Sequence, residues 1–396
     1  MKAANSPVSE TSLSVADIYA NARAMADFLR EKSSEIEQSR RLPPEVVARV
    51  RDAGMFRITM PKSWGGPELT PIEQIEVVEE LSRANASVGW VVMIGCDSGL
   101  FSGYLDDAAA RELYPRLDMA TAGMALPVGR ADRVDGGYRV NGQWSFGSGI
   151  THAEVVSAGC IIFDKGVPEM LNEKMPLWRL MLAPASSYEI QDVWHTTGLR
   201  GTGSNDYRAK DMFVPERHSL SFMDPKRDGP LWRRSDNILH KAAGVPLGAA
   251  RSAIDFFCEA MQGKVEMPSG KLYKNQGRIQ SAVADAEMIL GAARSYVFSS
   301  LERHWERVCK GEKLTDRERA DVWLSRVNVC HAAREVIRML FDAVGSAAIY
   351  TGKGPLDRAL RDSETWCQHI VAQRRSLEWV GAVLLKADNA GANPLF

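Results

Sequence analysis

No stretch of this 396-residue chain reaches the ~18 consecutive apolar residues of a membrane-spanning helix. Basic runs are missing as well. The 49 Lys and Arg residues nearly balance 50 Asp and Glu, so neither nucleic acid nor an anionic membrane is an expected partner. The six cysteines (Cys96, Cys160, Cys258, Cys309, Cys330 and Cys367) form no C-x-x-C pair. That argues against structural zinc and a disulfide framework, and for the free thiols of a cytoplasmic protein. The opening MKAANSPVSETSLS has no apolar core of a secretion signal. The phosphate-cradling G-x-x-x-x-G-K-[ST] and the zinc-holding H-E-x-x-H are both missing, and no metal is expected.

What is present falls into three regimes. Residues 1–118 have helical spacing. LPPEVVARVRDAGMF starts with Pro and an acid and stops at Gly54. TPIEQIEVVEELSRANAS places Ile72, Ile75, Val78 and Leu81 three apart, and SVGWVVMIGCDSGLF is apolar nearly all round, as in a buried helix. Residues 119–225 change to short β-branched and aromatic runs, YRVNGQWSF, VVSAGCIIF and DYRAKDMFVP among them, separated by Gly, Pro and Asn. These predict a compact antiparallel β domain, a barrel or sandwich. In residues 226–396 the helical period returns. One stripe holds Leu247, Ile254, Phe257 and Met261, and a second runs from Ile279 to Val297. A third repeats Val322, Val329, Val336 and Ala343 behind a Thr315/Glu318 capping box. Such stripes pack long helices at shallow angles, as in a four-helix bundle.

Chemistry-bearing residues gather in three places. WSFGSGITHA (144–153) holds Trp144, Ser148, Gly149 and His152. GLRGTGS (198–204) holds Arg200, Gly201, Thr202, Gly203 and Ser204. It lies between β runs rather than between a strand and a helix, so it is no dinucleotide fingerprint. It reads either as a surface turn or as a polar loop offering backbone N–H groups and Arg200 to an anion or an electron-rich ring. His369 is placed on a helix, sharing a face with Trp366 and Gln373. Taken singly, each of these residues is more often structural than catalytic.

Five segments in order resemble the acyl-CoA dehydrogenase superfamily: LPPEVVARVRDAGMFRITMPKSWGG, GGYRVNGQWSFGSG, GLRGTGSNDYRAKDMFVPE, QGRIQSAVADAE and GPLDRALRD. The resemblance implies an N-terminal helical domain, a central β domain and a C-terminal four-helix bundle. It also implies a homotetramer that buries the bundle, and a flavin between β domain and bundle with a neighbouring subunit completing its site. Where dehydrogenases of that family carry a catalytic Glu, this chain has His369 and Ile370, and ALPVGRA replaces the usual T-E-P-x-A-G-S. An acyl-CoA dehydrogenase with a relocated base remains the alternative.

WSFGSGITHA matches the W-x-F-x-S-G-x-x-H-A pattern of the flavin-dependent monooxygenases on this fold, which are two-component aromatic hydroxylases. That branch implies diffusible reduced FAD or FMN from a separate flavin reductase, and O2 carried as a flavin C4a-hydroperoxide. The substrate would be an electron-rich, phenol- or indole-like small molecule. By resemblance, Ser148 meets flavin N5, and His369 hydrogen-bonds substrate or peroxide. Trp144, Gly149, the Arg200–Ser204 loop and Gln276 border the flavin. Ser98, Ala125, His152, Trp366 and His369 line the substrate pocket.

Overall fold

The computed structural model describes residues 13–173 and 175–388. A run of helices from Val15–Ala24 to Asp107–Leu113 comes first. Helix Pro71–Ala84 begins with Pro and a reciprocal cap. Thr70 N–H donates to Glu73 Oε2 at 2.7 Å, and Glu73 N–H donates to Thr70 Oγ1 at 3.4 Å. Such caps are worth roughly 1 kcal/mol each because they satisfy N–H groups that have no partner within the helix. The spacing of three buries Ile75, Val78 and Leu81.

The apolar run expected as one buried helix is two, Ala86–Gly95 and Asp97–Ser102. Thr59 Oγ1 donates to the Cys96 carbonyl, which competes with the helical ladder at the break. Both pieces are buried, and Trp90 stands on the first.

The sheet is ordered Ser219–Leu220, Trp178–Pro184, Val155–Asp164, Thr121–Val134, Gly137–Gly147, Asn205–Pro215, Glu189–Gln191. It is not wholly antiparallel, because Thr121–Val134 and Val155–Asp164 pair in parallel, Thr121 opposite Val155. Thr121–Val134 and Gly137–Gly147 form a hairpin. The chain therefore leaves Gly147 near the end where Thr121 begins. Tight turns through residues 148–153 carry it across that end and lay the next strand on the far side of Thr121–Val134, running the same way. A parallel neighbour cannot be reached by a two-residue turn. The Ser148 segment is that crossing.

Helices Gly244–Gly263, Gly277–Lys310, Asp316–Val344 and Leu356–Trp366 make the bundle, with Ser376–Leu385 after them. Thr315 and Glu318 cap the third as expected, with N–H to Oε2 at 2.8 Å. Leu247, Ile254, Phe257, Val329, Val336 and Leu340 are all buried in one cluster that also takes Ile75, Val78 and Trp90 from the N-terminal helices. Each such side chain contributes roughly 1.5–3 kcal/mol by leaving water.

His369 is not helical. The helix ends at Trp366, whose Nε1–H donates to the Cys330 carbonyl at 3.2 Å. Beyond it the chain folds into tight turns, with His369 N–H to Trp366 O at 3.0 Å and Ala372 N–H to His369 O at 2.8 Å.

Candidate active site

Three hydroxyls from two loops meet at the end of the sheet. Thr202 Oγ1 donates to the Leu199 carbonyl at 2.8 Å and lies 2.7 Å from Ser204 Oγ, which lies 2.7 Å from Ser148 Oγ. Trp90 Nε1–H donates to Ser148 Oγ at 3.0 Å. A hydroxyl has one proton and two lone pairs, so the polarity of the chain follows from its ends. A carbonyl can only accept, so Thr202 spends its proton on Leu199. Ser204 must then donate to Thr202, and Ser148 must donate to Ser204. Ser148 accepts from Trp90, because an indole N–H can only donate. One lone pair of Ser148 Oγ is left over, and the group is presented as an acceptor.

The two loops are bound to each other through the backbone, Gly149 N–H donating to Thr202 O at 2.9 Å. Gly149 and Gly203 hold φ of +74° and +53°, a region that side-chain-bearing residues enter at a cost. A Cβ on Gly149 would also stand 3.2 Å from His152 Nε2. Asp362 anchors the second loop from the bundle, its Oδ1 accepting Leu199 N–H at 2.5 Å. Burial pushes the Asp362 carboxyl up to about 6 against the pull of that hydrogen bond.

Trp90 links this group to His369. The two rings meet edge to face with centroids 5.1 Å apart. Burial, with the nearby Arg326 charge, drives His369 down to about 4, so the imidazole is neutral at neutral pH. Val371 N–H donates to its Nδ1 at 3.4 Å, which leaves Nε2 to carry the ring proton. His152 lies beside Gly149 with its Nδ1 buried and unpartnered. Burial and then Arg51 lower it to about 4.

Ser148, Thr202, Ser204, Gly149 and His369 are thus brought together directly or through Trp90, with His152 against Gly149. Several expected residues are not. Trp144 is 0% exposed inside the β-domain core, its Nε1–H on the Gly159 carbonyl at 2.9 Å and its ring stacked on Tyr207 at 5.5 Å. The pleat turns it inward, and no ring face is left for a flavin. Trp366 is 1% exposed with its N–H committed to Cys330, so it offers no surface to a substrate. Ser98 is buried with its hydroxyl turned back to Gly95 O at 3.5 Å. Its neighbour Asp97 holds the polar contact there, with Oδ1 accepting from Lys241 Nζ at 2.5 Å. Burial lifts Asp97 to about 6 while Lys241 opposes it.

Ala125 lies where the strand register shifts between Met124 and Gly129, packed against the cluster of Leu100, Phe101 and Leu182. Arg200 and Gly201 line a small cavity shared with Ser33, Ser87, Arg358 and Asp362, and Arg200 Nε is buried without a partner. Gln276 precedes helix Gly277–Lys310, with Oε1 accepting from Arg278 at 3.1 Å and Nε2 buried and unpaired.

Trp90, Lys241 and Arg326 were not singled out by sequence reasoning. Trp90 lies in a segment apolar on every side, where periodicity names no face. Lys241 and Arg326 are charges whose burial depends on partners distant in the chain.

The chain matches the family models described as acyl-CoA dehydrogenase, N-terminal domain over residues 17–116 and acyl-CoA dehydrogenase, C-terminal domain over residues 241–374. It is 31% identical over 356 residues to an indole-3-acetate monooxygenase of Pseudomonas putida, covering 87% of this chain and 88% of that protein. It is 29% identical over 381 residues to an FADH2-dependent resorcinol hydroxylase, oxygenase component, of Rhizobium sp. (strain MTP-10005), covering 90% and 89%. The crystal structure of a 3-HSA hydroxylase from Rhodococcus sp. RHA1 superposes with a TM-score of 0.86 at 26% identity, covering 94% of this chain and 97% of that one.

Proposed function

The chain belongs to the acyl-CoA dehydrogenase family, and from that premise we propose that it is the oxygenase of a two-component flavin-dependent monooxygenase hydroxylating an electron-rich aromatic molecule. Its relatives named above are monooxygenases and hydroxylases, which favours this reading over acyl-CoA dehydrogenation. The observation that carries it is the spare acceptor lone pair of Ser148, fixed by Thr202, Ser204 and Trp90.

A reduced flavin fits that site by its chemistry. Its N5 bears a proton and donates, whereas oxidised N5 has only a lone pair, so an acceptor-only hydroxyl favours the reduced ring. Bound there, reduced flavin supplies two electrons and carries O2 to the substrate, one oxygen atom entering the product and the other leaving as water. Ser148 Oγ would hold the N5 proton in place. Trp90 and Ser204 keep that hydroxyl from turning. His369, neutral with its proton on Nε2, would donate to an oxygen of substrate or oxidant. Gly149 and the Thr202–Ser204 loop would border the flavin, His152 the substrate, and the free amide of Gln276 a flavin oxygen across a subunit boundary.

The proposal includes diffusible reduced FAD or FMN, a separate flavin reductase, a homotetramer and a cytoplasmic setting. Among the described residues no helix is long and apolar enough to cross a membrane.

Rapid mixing of the reduced-flavin complex with O2 tests it. The expected result is a transient near-ultraviolet absorbance, followed by hydroxylated product when aromatic substrate is present. Bleaching of bound oxidised flavin by an acyl-CoA, without that transient, would return the protein to the dehydrogenases.

A further inference from the structure

Leu199 is buried and holds φ +47° and ψ 34°. Side chains resist that left-handed region, and a residue stays there only where its surroundings hold it. Here the hold comes from helix Leu356–Trp366. Arg361 Nη1–H donates to the Thr197 carbonyl at 2.9 Å. Gly198 packs so closely on the same turn of helix that a Cβ would stand 2.0 Å from the Arg361 carbonyl oxygen. Asp362 Oδ1 then takes the Leu199 N–H at 2.5 Å. The loop is thus seated, residue after residue, on Arg361 and Asp362.

Asp362 is 3% exposed, and among the described residues it forms no salt bridge; its neighbour Arg361 pairs with Asp357 and Glu37 instead. A buried carboxylate without a cation is unfavourable. In return, a hydrogen bond to a charged acceptor is roughly twice as strong as a neutral one, and this one grips the strained residue.

The carbonyl of that residue heads the hydroxyl chain. Thr202 N–H at 3.1 Å, Thr202 Oγ1 at 2.8 Å and Trp194 Nε1–H at 3.0 Å all converge on Leu199 O. A carbonyl has two lone pairs for these three donors, so the Thr202 hydroxyl keeps its place only while that oxygen keeps its direction. Two dihedrals separate the N–H of a residue from its C=O, and pinning the first with φ fixed aims the second. With the carbonyl turned away, Thr202 is free to donate to Ser204, Ser204 to Ser148, and Ser148 outward.

We propose that Asp362 is a positioning residue for the flavin-facing hydroxyl: by pinning the Leu199 N–H it aims the Leu199 carbonyl at Thr202 and so keeps Ser148 an acceptor. In this role it acts through Leu199 and Thr202 rather than on the flavin. The inference rests on the monooxygenase reading and adds to it a group of the bundle that controls the redox state of flavin the site prefers.

Anaerobic titrations with reduced FAD and FMN, and aerobic titrations with the oxidised forms, give the ratio of oxidised to reduced dissociation constants. The wild type should bind the reduced form more tightly. Asp362→Ala removes the acceptor, and the ratio should shrink by roughly fivefold, the scale of one hydrogen bond. Asp362→Asn keeps a neutral acceptor and should retain most of the ratio. Gly198→Ala must lift the loop from the helix and should shrink the ratio as Asp362→Ala does; it decides the matter if Asp362→Ala does not fold. Placed on Thr202→Val, which has no hydroxyl to aim, Asp362→Ala should shrink the ratio no further. Val327→Ala, in the separate cluster with Trp323 and Val380, lowers stability alone and should leave the ratio intact. An unchanged ratio in Asp362→Ala, an equal loss of affinity for both flavin forms, or a further shift on Thr202→Val each overturns the proposal. A wild type that binds both forms equally overturns the acceptor role of Ser148 with it, whereas a wild-type preference that ignores Asp362 overturns this proposal alone.

Discussion

The indole N–H of Trp90 donates to the Ser148 hydroxyl at 3.0 Å. One hydrogen bond thus joins the helix Ala86–Gly95 to the crossing turn at the end of the sheet. The same ring meets His369 edge to face, so Trp90 contacts groups from the β domain and from the bundle together.

Ser148→Ala removes the acceptor for the N5 proton. We expect H2O2 release per turnover to rise about tenfold or more, equivalent to the ~1.4 kcal/mol of one good hydrogen bond. Trp90→Phe keeps the packing and deletes only the donor, and should give a smaller rise in the same direction. Product and peroxide yields under reductase-driven turnover measure both. A wild-type ratio in Ser148→Ala would remove this residue from the chemistry.

Ser204→Ala leaves Ser148 free to turn its proton outward, toward an acceptor such as oxidised N5. The preference for reduced over oxidised flavin should shrink by roughly tenfold, again the scale of a single hydrogen bond. Thr202→Val should act in the same sense more weakly, because Ser204 then loses its own acceptor. Anaerobic and aerobic flavin titrations give the ratio. An unchanged ratio in Ser204→Ala would break the polarity argument.

His152 and His369 both titrate near 4 in the folded protein, against about 6.5 unfolded. The unfolded chain therefore binds protons first as pH falls. Their stabilisation is complete above about pH 6.5 and is lost progressively toward pH 4. At most ~3 kcal/mol per histidine is at stake. Asp97 and Asp362, raised to about 6, take up protons in the folded chain first and oppose this loss. The histidine share is therefore read by difference: between pH 7.5 and 4.5 the urea midpoint of His152→Gln should fall less than that of the wild type.

Lys241 is 0% exposed and paired with Asp97 at 2.5 Å. Lys241→Met leaves a buried carboxylate without its partner and should cost about 3–5 kcal/mol. Adding Asp97→Asn should recover most of that, because no unpaired charge remains. Denaturant unfolding of the single and double variants tests the coupling, and additive losses would contradict it.

Much of this arrangement is written locally. Thr70/Glu73 and Thr315/Glu318 declare two helix starts three residues ahead, and both caps form. The stripes through Ile75, Val78 and Leu81 and through Val329, Val336 and Leu340 are buried as their spacing demands. The branch pattern WSFGSGITHA singles out Ser148, which takes its place in the hydroxyl chain.

The choice between tryptophans was not written there. Period two says that Trp144 faces one side of its strand, but not that this side is the closed β core. Trp90, in a segment without a polar face, gives no sign of pointing at a serine 58 residues away. Lys241 and Arg326 look like solvent-facing charges until Asp97, 144 residues distant, and the bundle enclose them.

Local sequence determined the helix starts, the strands and the residues able to do chemistry, because caps and periodicity act within a few residues. Which of those residues meet, which way the hydroxyl protons point, and which charges are left buried and unpaired were decided by tertiary structure. Those outcomes depend on where water is excluded, and that is a property of packed layers rather than of any single segment.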